Sequence, residues 1–165
     1  MRLCLAAVTF ALVLATAACG DEIGDGCSIS SECSSQGDRF CDTTQPGGYC
    51  TVIGCEHDTC PDEAVCVRFF PRGNDSIECD PQQEDTSEAD DNCTIDEICT
   101  LAGYCAPRSA EIRFCMKTCD DDDDCRDEYE CRDKELMQEH GGEPVPPIGE
   151  HVDDDPTPFC ATAPI

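Results

Sequence analysis

Cysteine constrains this chain more than any other residue type: 18 of its 165 residues are Cys. The chain also has no Trp, 5% aromatic residues and a formal net charge of −27. So little apolar mass under so much self-repulsion cannot offset a backbone-ordering cost of about 1–2 kcal/mol per residue. Cross-links must do what a core does elsewhere, and disulfide scaffolds do so in oxidising compartments. A large buried core is excluded, and most enzyme folds go with it. Nucleic-acid binding is excluded too, because a polyanion without a basic stripe repels phosphate.

The N-terminus explains how such a chain reaches an oxidising compartment. Arg2 precedes an apolar run over residues 3–18 that ends in small side chains, the pattern of a secretory signal. The run is shorter than the roughly 20 residues of a membrane span. Thr16-Ala17-Ala18-Cys19 resembles the lipobox of bacterial lipoproteins, with Thr16 where Leu is usual. The resemblance implies cleavage before Cys19, a lipid on its sulfur, and a polar tether over residues 19–26. Parity agrees: with Cys4 lost in the signal and Cys19 acylated, sixteen Cys remain, an even set. Membrane attachment rests on that lipid, since the acidic chain carries no basic amphipathic helix. Without lipidation the product is a soluble extracellular protein.

The remaining cysteines are Cys27, Cys33, Cys41, Cys50, Cys55, Cys60, Cys66 and Cys79, then Cys93, Cys99, Cys105, Cys115, Cys119, Cys125, Cys131 and Cys160. Gaps of 5, 7, 8, 4, 4, 5 and 12 residues in the first eight face gaps of 5, 5, 9, 3, 5, 5 and 28 in the second. Up to the last loop they agree within two residues. The spacing predicts a tandem duplication: module 1 at 27–79, an acidic linker at 80–92, module 2 at 93–160 and a tail at 161–165. Four disulfides are expected in each module, with 105 connectivities open to each. No C-x-x-C occurs, which removes the basic unit of thioredoxin-like sites and of zinc ribbons. Cys55-x4-Cys60-x5-Cys66 and Cys119-x5-Cys125-x5-Cys131, with acids between, resemble the small Cys-rich modules of lipoproteins of myxobacterial type. More distantly they resemble Dickkopf-type Cys-rich domains. Such modules imply an architecture more than a chemistry.

The fold class expected is small and disulfide-rich, mostly turns and short β-hairpins, with one short helix near residues 128–140. Asp127 and Glu130 form a potential capping box for that helix, Glu130 and Lys134 stand four apart, and Gly141-Gly142 would stop it. Five prolines over residues 143–159 mark a loop.

Candidate sites are few. The carboxylates of residues 120–124 offer at most a weak calcium site. An EF-hand loop starting at Asp120 fails, with Cys125 at the glycine position and Cys131 at the bidentate position. His57-Asp58-Thr59-Cys60 is similar to an element of secreted phospholipases A2, yet the Gly-rich calcium loop that must accompany it is missing. Neither His140 nor His151 has a triad partner nearby in sequence. Phe69, Phe70 and Arg72 form the one aromatic and cationic cluster, a partner-loop candidate. Asn74 and Asn92 begin glycosylation patterns, which matter only in a eukaryotic secretory pathway. The expectation is a non-enzymatic, lipid-anchored envelope protein that binds or adheres, with a protein or glycan partner and no resident cofactor. The alternative is a soluble inhibitor or ligand acting through residues 69–73.

Overall fold

This computed structural model describes residues 21–71, 77–83 and 92–163. The strands are β1 (Phe40–Cys41), β2 (Cys50–Thr51), β3 (Ala64–Phe69), β4 (Glu97–Cys99), β5 (Cys105–Pro107), β6 (Ile112–Lys117), β7 (Tyr129–Arg132), β8 (Glu143–Pro144) and β9 (Phe159–Thr162). Two helices accompany them among the described residues, α1 (Ser30–Cys33) and α2 (Lys134–His140). The fold is small, disulfide-rich and built on short antiparallel pairs, as the sequence predicts.

Eight disulfides organise it, and they follow one rule four times. Cys27 joins Cys41 and Cys33 joins Cys50. Cys55 joins Cys66 and Cys60 joins Cys115. Cys79 joins Cys99 and Cys93 joins Cys105. Cys119 joins Cys131 and Cys125 joins Cys160. In each set of four the first binds the third and the second binds the fourth. The third and fourth stand directly opposite one another in an antiparallel pair: Cys41↔Cys50, Cys66↔Cys115, Cys99↔Cys105 and Cys131↔Cys160. Facing residues of a ladder project to the same side, so both sulfurs meet the loop that carries the first two. Strands of two to six residues are too short to persist alone, and the two staples hold them.

This arrangement corrects the expectation of four bridges on each side of residues 80–92. Cys60–Cys115 and Cys79–Cys99 both cross that segment. The repeat is a four-cysteine unit, and the third unit is inserted between Cys66 and Cys115 of the second. The gap similarity of the two halves arises because each half contains parts of successive short units. The main sheet crosses too, since β3 lies between β6 and β8.

The helix forms, but later than the Asp127–Glu130 box implies. Asp133 is its N-cap and accepts the Leu136 amide at 3.0 Å, and Gly141, at φ +82°, ends it. Residues 129–132 go into β7 instead, because pairing with β9 buries Tyr129 and Cys131. Tertiary burial overrides a local helix signal there.

The core lies where the first, second and fourth units meet, around Ile23, Tyr49, Val67, Met137 and Phe159. The Tyr49 hydroxyl accepts the Lys117 amide at 3.0 Å and donates to the Cys160 carbonyl at 3.4 Å. Tyr49 and Tyr129 stack at 5.4 Å, with the Arg126 guanidinium 4.6 Å from the Tyr129 centroid. Arg126 also donates to the Gly48 carbonyl at 2.7 Å. Gly48 is obligatory: its φ is +70°, and a Cβ there would stand 1.9 Å from the Cys27 carbonyl oxygen.

Candidate functional site

The residue before the fourth cysteine of every unit is aromatic: Tyr49, Phe114, Tyr104 and Phe159. The eight-cysteine reading hides that signal in part: it aligns Tyr49 with Phe114 but places Tyr104 before a third cysteine and Phe159 before an eighth. The β3/β6 register, with Val65↔Met116, Val67↔Phe114 and Phe69↔Ile112, puts all six side chains on one face of the sheet. Val67 and Met116 are buried in the core. Toward the edge of that face a slot of about 110 Å³ opens between the first, second and fourth units, lined by Tyr49, Thr51, Phe69, Phe114, Met116 and Ala161. Asp42, Gln45, Arg132 and Thr162 complete its lining.

The polar groups of the slot are not equivalent. Arg132 is spent: its Nε donates to Glu130 at 2.9 Å, Nη1 to the Gly141 carbonyl at 2.7 Å and Nη2 to the Thr162 carbonyl at 2.8 Å. Asp42 accepts the Thr44 amide at 3.0 Å and its hydroxyl at 2.7 Å, so it shapes a turn. Among the described residues it has no cation within ion-pair distance. Burial holds the Tyr49 hydroxyl well above its ordinary value, so Tyr49 stays neutral.

Phe69 of the predicted partner loop belongs to this face. It packs edge-on against Phe114 and Phe159, each at 6.2 Å between centroids. Phe70 is half-buried, with the Arg68 guanidinium 5.8 Å from its ring. Arg72 lies outside the described residues, as does Cys19. Arg68 turns inward to a buried ion pair with Glu143, at 2.6 and 2.8 Å, while the second Glu143 oxygen accepts the Leu101 amide at 2.5 Å.

Two larger clefts flank the Pro-rich loop between β8 and β9. One, of about 450 Å³, is lined by His57, Asp58, Asp62, His151 and Asp153 among others. The second, of about 530 Å³, includes Arg68, Arg108, Arg113, Ile98 and Ile148. Val145, Pro146, Pro147, Glu150, His151 and Val152 wall both. Between them Pro147 to Glu150 make a turn closed at 3.0 Å, which leaves Ile148 fully exposed at its tip. The proline count shows a loop; only the fold shows that it divides two clefts.

The aspartates of residues 120–124 satisfy backbone. Asp124 accepts the amides of Asp120 at 2.8 Å and Asp121 at 3.4 Å, and Asp122 accepts the Cys131 amide at 2.7 Å. Those amides hold the Asp124 carboxyl below its ordinary value. Glu32 plays the same part in the first unit, accepting the amides of Ser28 and Ile29. An acid just before the second cysteine thus closes the first loop of both units. His57 presents Nδ1 to the Val145 carbonyl at 3.0 Å and Nε2 to Asp58 at 3.1 Å. Both ring nitrogens thus face oxygens of the protein. His140 is engaged with Glu130 at 2.7 Å. Asn92 is exposed and donates to the Glu78 carbonyl at 3.4 Å, while Asn74 lies outside the described residues. All sixteen described cysteines are bridged, so none is a thiolate ligand. No helix of the described residues is long and apolar enough to cross a membrane. No family model, curated protein or solved structure matches the chain.

Proposed function

We propose that this protein is a non-enzymatic binding or adhesion module of the cell envelope, held at the membrane by lipid on Cys19. Eight disulfides support an oxidising extracytoplasmic location. The observation that carries the binding role is the divided cleft beside the Pro-rich loop. An exposed apolar tip stands between one wall carrying Arg108 and the Arg113–Glu56 pair and another carrying carboxylates and histidines. Apolar anchors inside a charged rim are how protein partners are recognised, and a cross-linked scaffold presents such a tip at low entropic cost.

Anchoring and binding are tested separately. Radioactive palmitate should label the wild type and not Cys19→Ala, and the variant should appear in the medium. Unlabelled wild type with unchanged release would sink the lipoprotein reading. For the cleft, a photo-cross-linker placed at position 148 on intact cells should give a discrete adduct, and one at position 40 should not. Equal adducts from both positions would remove the cleft as the binding face.

A further inference from the structure

We propose that the aromatic slot between the first, second and fourth units binds a small alkylated ammonium ion, such as a trimethylammonium group. This goes beyond the binding reading above and concerns a second site. Its walls are the rings of Tyr49, Phe69 and Phe114 together with the Met116 thioether. Phe69 and Phe114 are inclined at 61° with centroids 6.2 Å apart, so the two rings make a corner rather than a flat platform. Aromatic faces attract cations by their quadrupoles, and aromatic cages hold methylated ammonium groups by that force. This fold already uses the attraction, with the Arg126 guanidinium seated over Tyr129 and 5.8 Å from the centroid of Tyr49.

Charge and size then narrow the ligand. Arg132 is neutralised by Glu130 and has its nitrogens committed to protein oxygens. Asp42 remains as the uncompensated charge of the slot, so the lining favours a cation over an anion. The chain's net charge of −27 adds to that preference by drawing cations toward the surface. A volume of about 110 Å³ is less than the roughly 150 Å³ cavity known to admit benzene. It is sized for one compact headgroup, with the rest of a ligand left in solvent. An alkylated ammonium needs only ring faces and a nearby carboxylate.

The full chain, produced with all bridges intact, would be titrated with choline and with its neutral isostere 3,3-dimethylbutan-1-ol while amide shifts are followed by NMR. Choline should shift the amides of Phe114, Met116 and Ala161 saturably, and the isostere should bind about tenfold more weakly. Asp42→Asn, which keeps an acceptor for the Thr44 turn, should weaken choline about three- to tenfold and leave the isostere unchanged. Phe114→Leu should weaken choline as well; retained amide dispersion shows that each variant is folded. Equal binding of choline and isostere, or indifference to Asp42→Asn, would overturn the proposal. Tighter binding of phosphocholine than of choline would also overturn it, by placing the ligand's anion against Arg132. Failure here with the palmitate and cross-linking results intact would remove only the ammonium site, whereas their failure would leave choline binding untouched.

Discussion

At the scale of single residues, carboxylates that look like a cation site in sequence are occupied by the backbone. Asp124 caps the amides of Asp120 and Asp121, and these bonds are stronger when it is ionised. Its folded-state value therefore lies below the ordinary 3.8. A carboxyl with a depressed folded value contributes stability that is fully present above its unfolded value and is lost as pH falls through the folded one. Glu97 adds in the same direction, held below the ordinary 4.5 by the Thr94 amide and hydroxyl. We expect the carboxyl ¹³C resonance of Asp124 to titrate with a midpoint below 3.8. The Asp124→Asn variant should lose its stability deficit relative to wild type as pH is lowered through that midpoint. A midpoint above the ordinary value would show that the cap is not formed. The spacing of acid to second cysteine is visible in the sequence, yet its role is not, because only the closed loop brings those amides to the carboxylate.

Among the elements, the decisive contact is the Arg68–Glu143 pair. Arg68 in β3 stands opposite Glu143 in β8, and the Leu101 amide completes the cluster. Residues of the second, third and fourth units are thereby tied together, out of water: 8% of the Arg68 side chain is exposed and 3% of that of Glu143. Two ions buried together are held at little net gain, but removing one strands the other at a cost of about 3–5 kcal/mol. Glu143→Gln should therefore destabilise by roughly that amount, read as a lower guanidinium midpoint with the bridges intact. The double variant Arg68→Met, Glu143→Leu should recover most of the loss, short of about 1–2 kcal/mol for the unpaired Leu101 amide. If the single variant costs under about 1 kcal/mol, water reaches the pair and the core is looser than described. In sequence Arg68 reads as part of a cationic surface loop. The alternation of β3 turns it to the opposite side from Phe69, and that alternation becomes informative only once the strand is known.

For the whole molecule, the prediction concerns how the halves are joined. Because Cys60–Cys115 and Cys79–Cys99 span residues 80–92, cutting the chain at a protease site engineered between residues 84 and 91 should not separate it. Mass spectrometry without reductant should find one species heavier by a single water, and reductant should release two fragments. Two fragments without reduction would refute both bridges. Reduction of all the bridges should collapse amide dispersion into that of an expanded polyanion, because the apolar core is too small to bear the ordering cost. A chelator alone should leave the dispersion unchanged; its loss would reveal a structural cation.

Cysteine number, charge and the scarcity of large apolar residues determine by themselves that the fold is small and cross-linked, since no other term is large enough to hold the chain. Gly141 after a run of helix formers marks the end of α2 in the same local way. Connectivity was decided in three dimensions. Gap lengths favour eight-plus-eight, because the last gap of the four units runs from 5 to 48 residues, yet a loop closes at nearly the same entropic cost over a wide range of lengths. What selects the pairing is the ladder. Cys66 and Cys115 come opposite one another across 48 intervening residues because β3 and β6 share a buried face, with Cys66↔Cys115 in register. The aromatic slot has the same origin: Tyr49, Phe69 and Phe114 are remote in the chain and adjoin only because three stapled hairpins pack their apolar sides together.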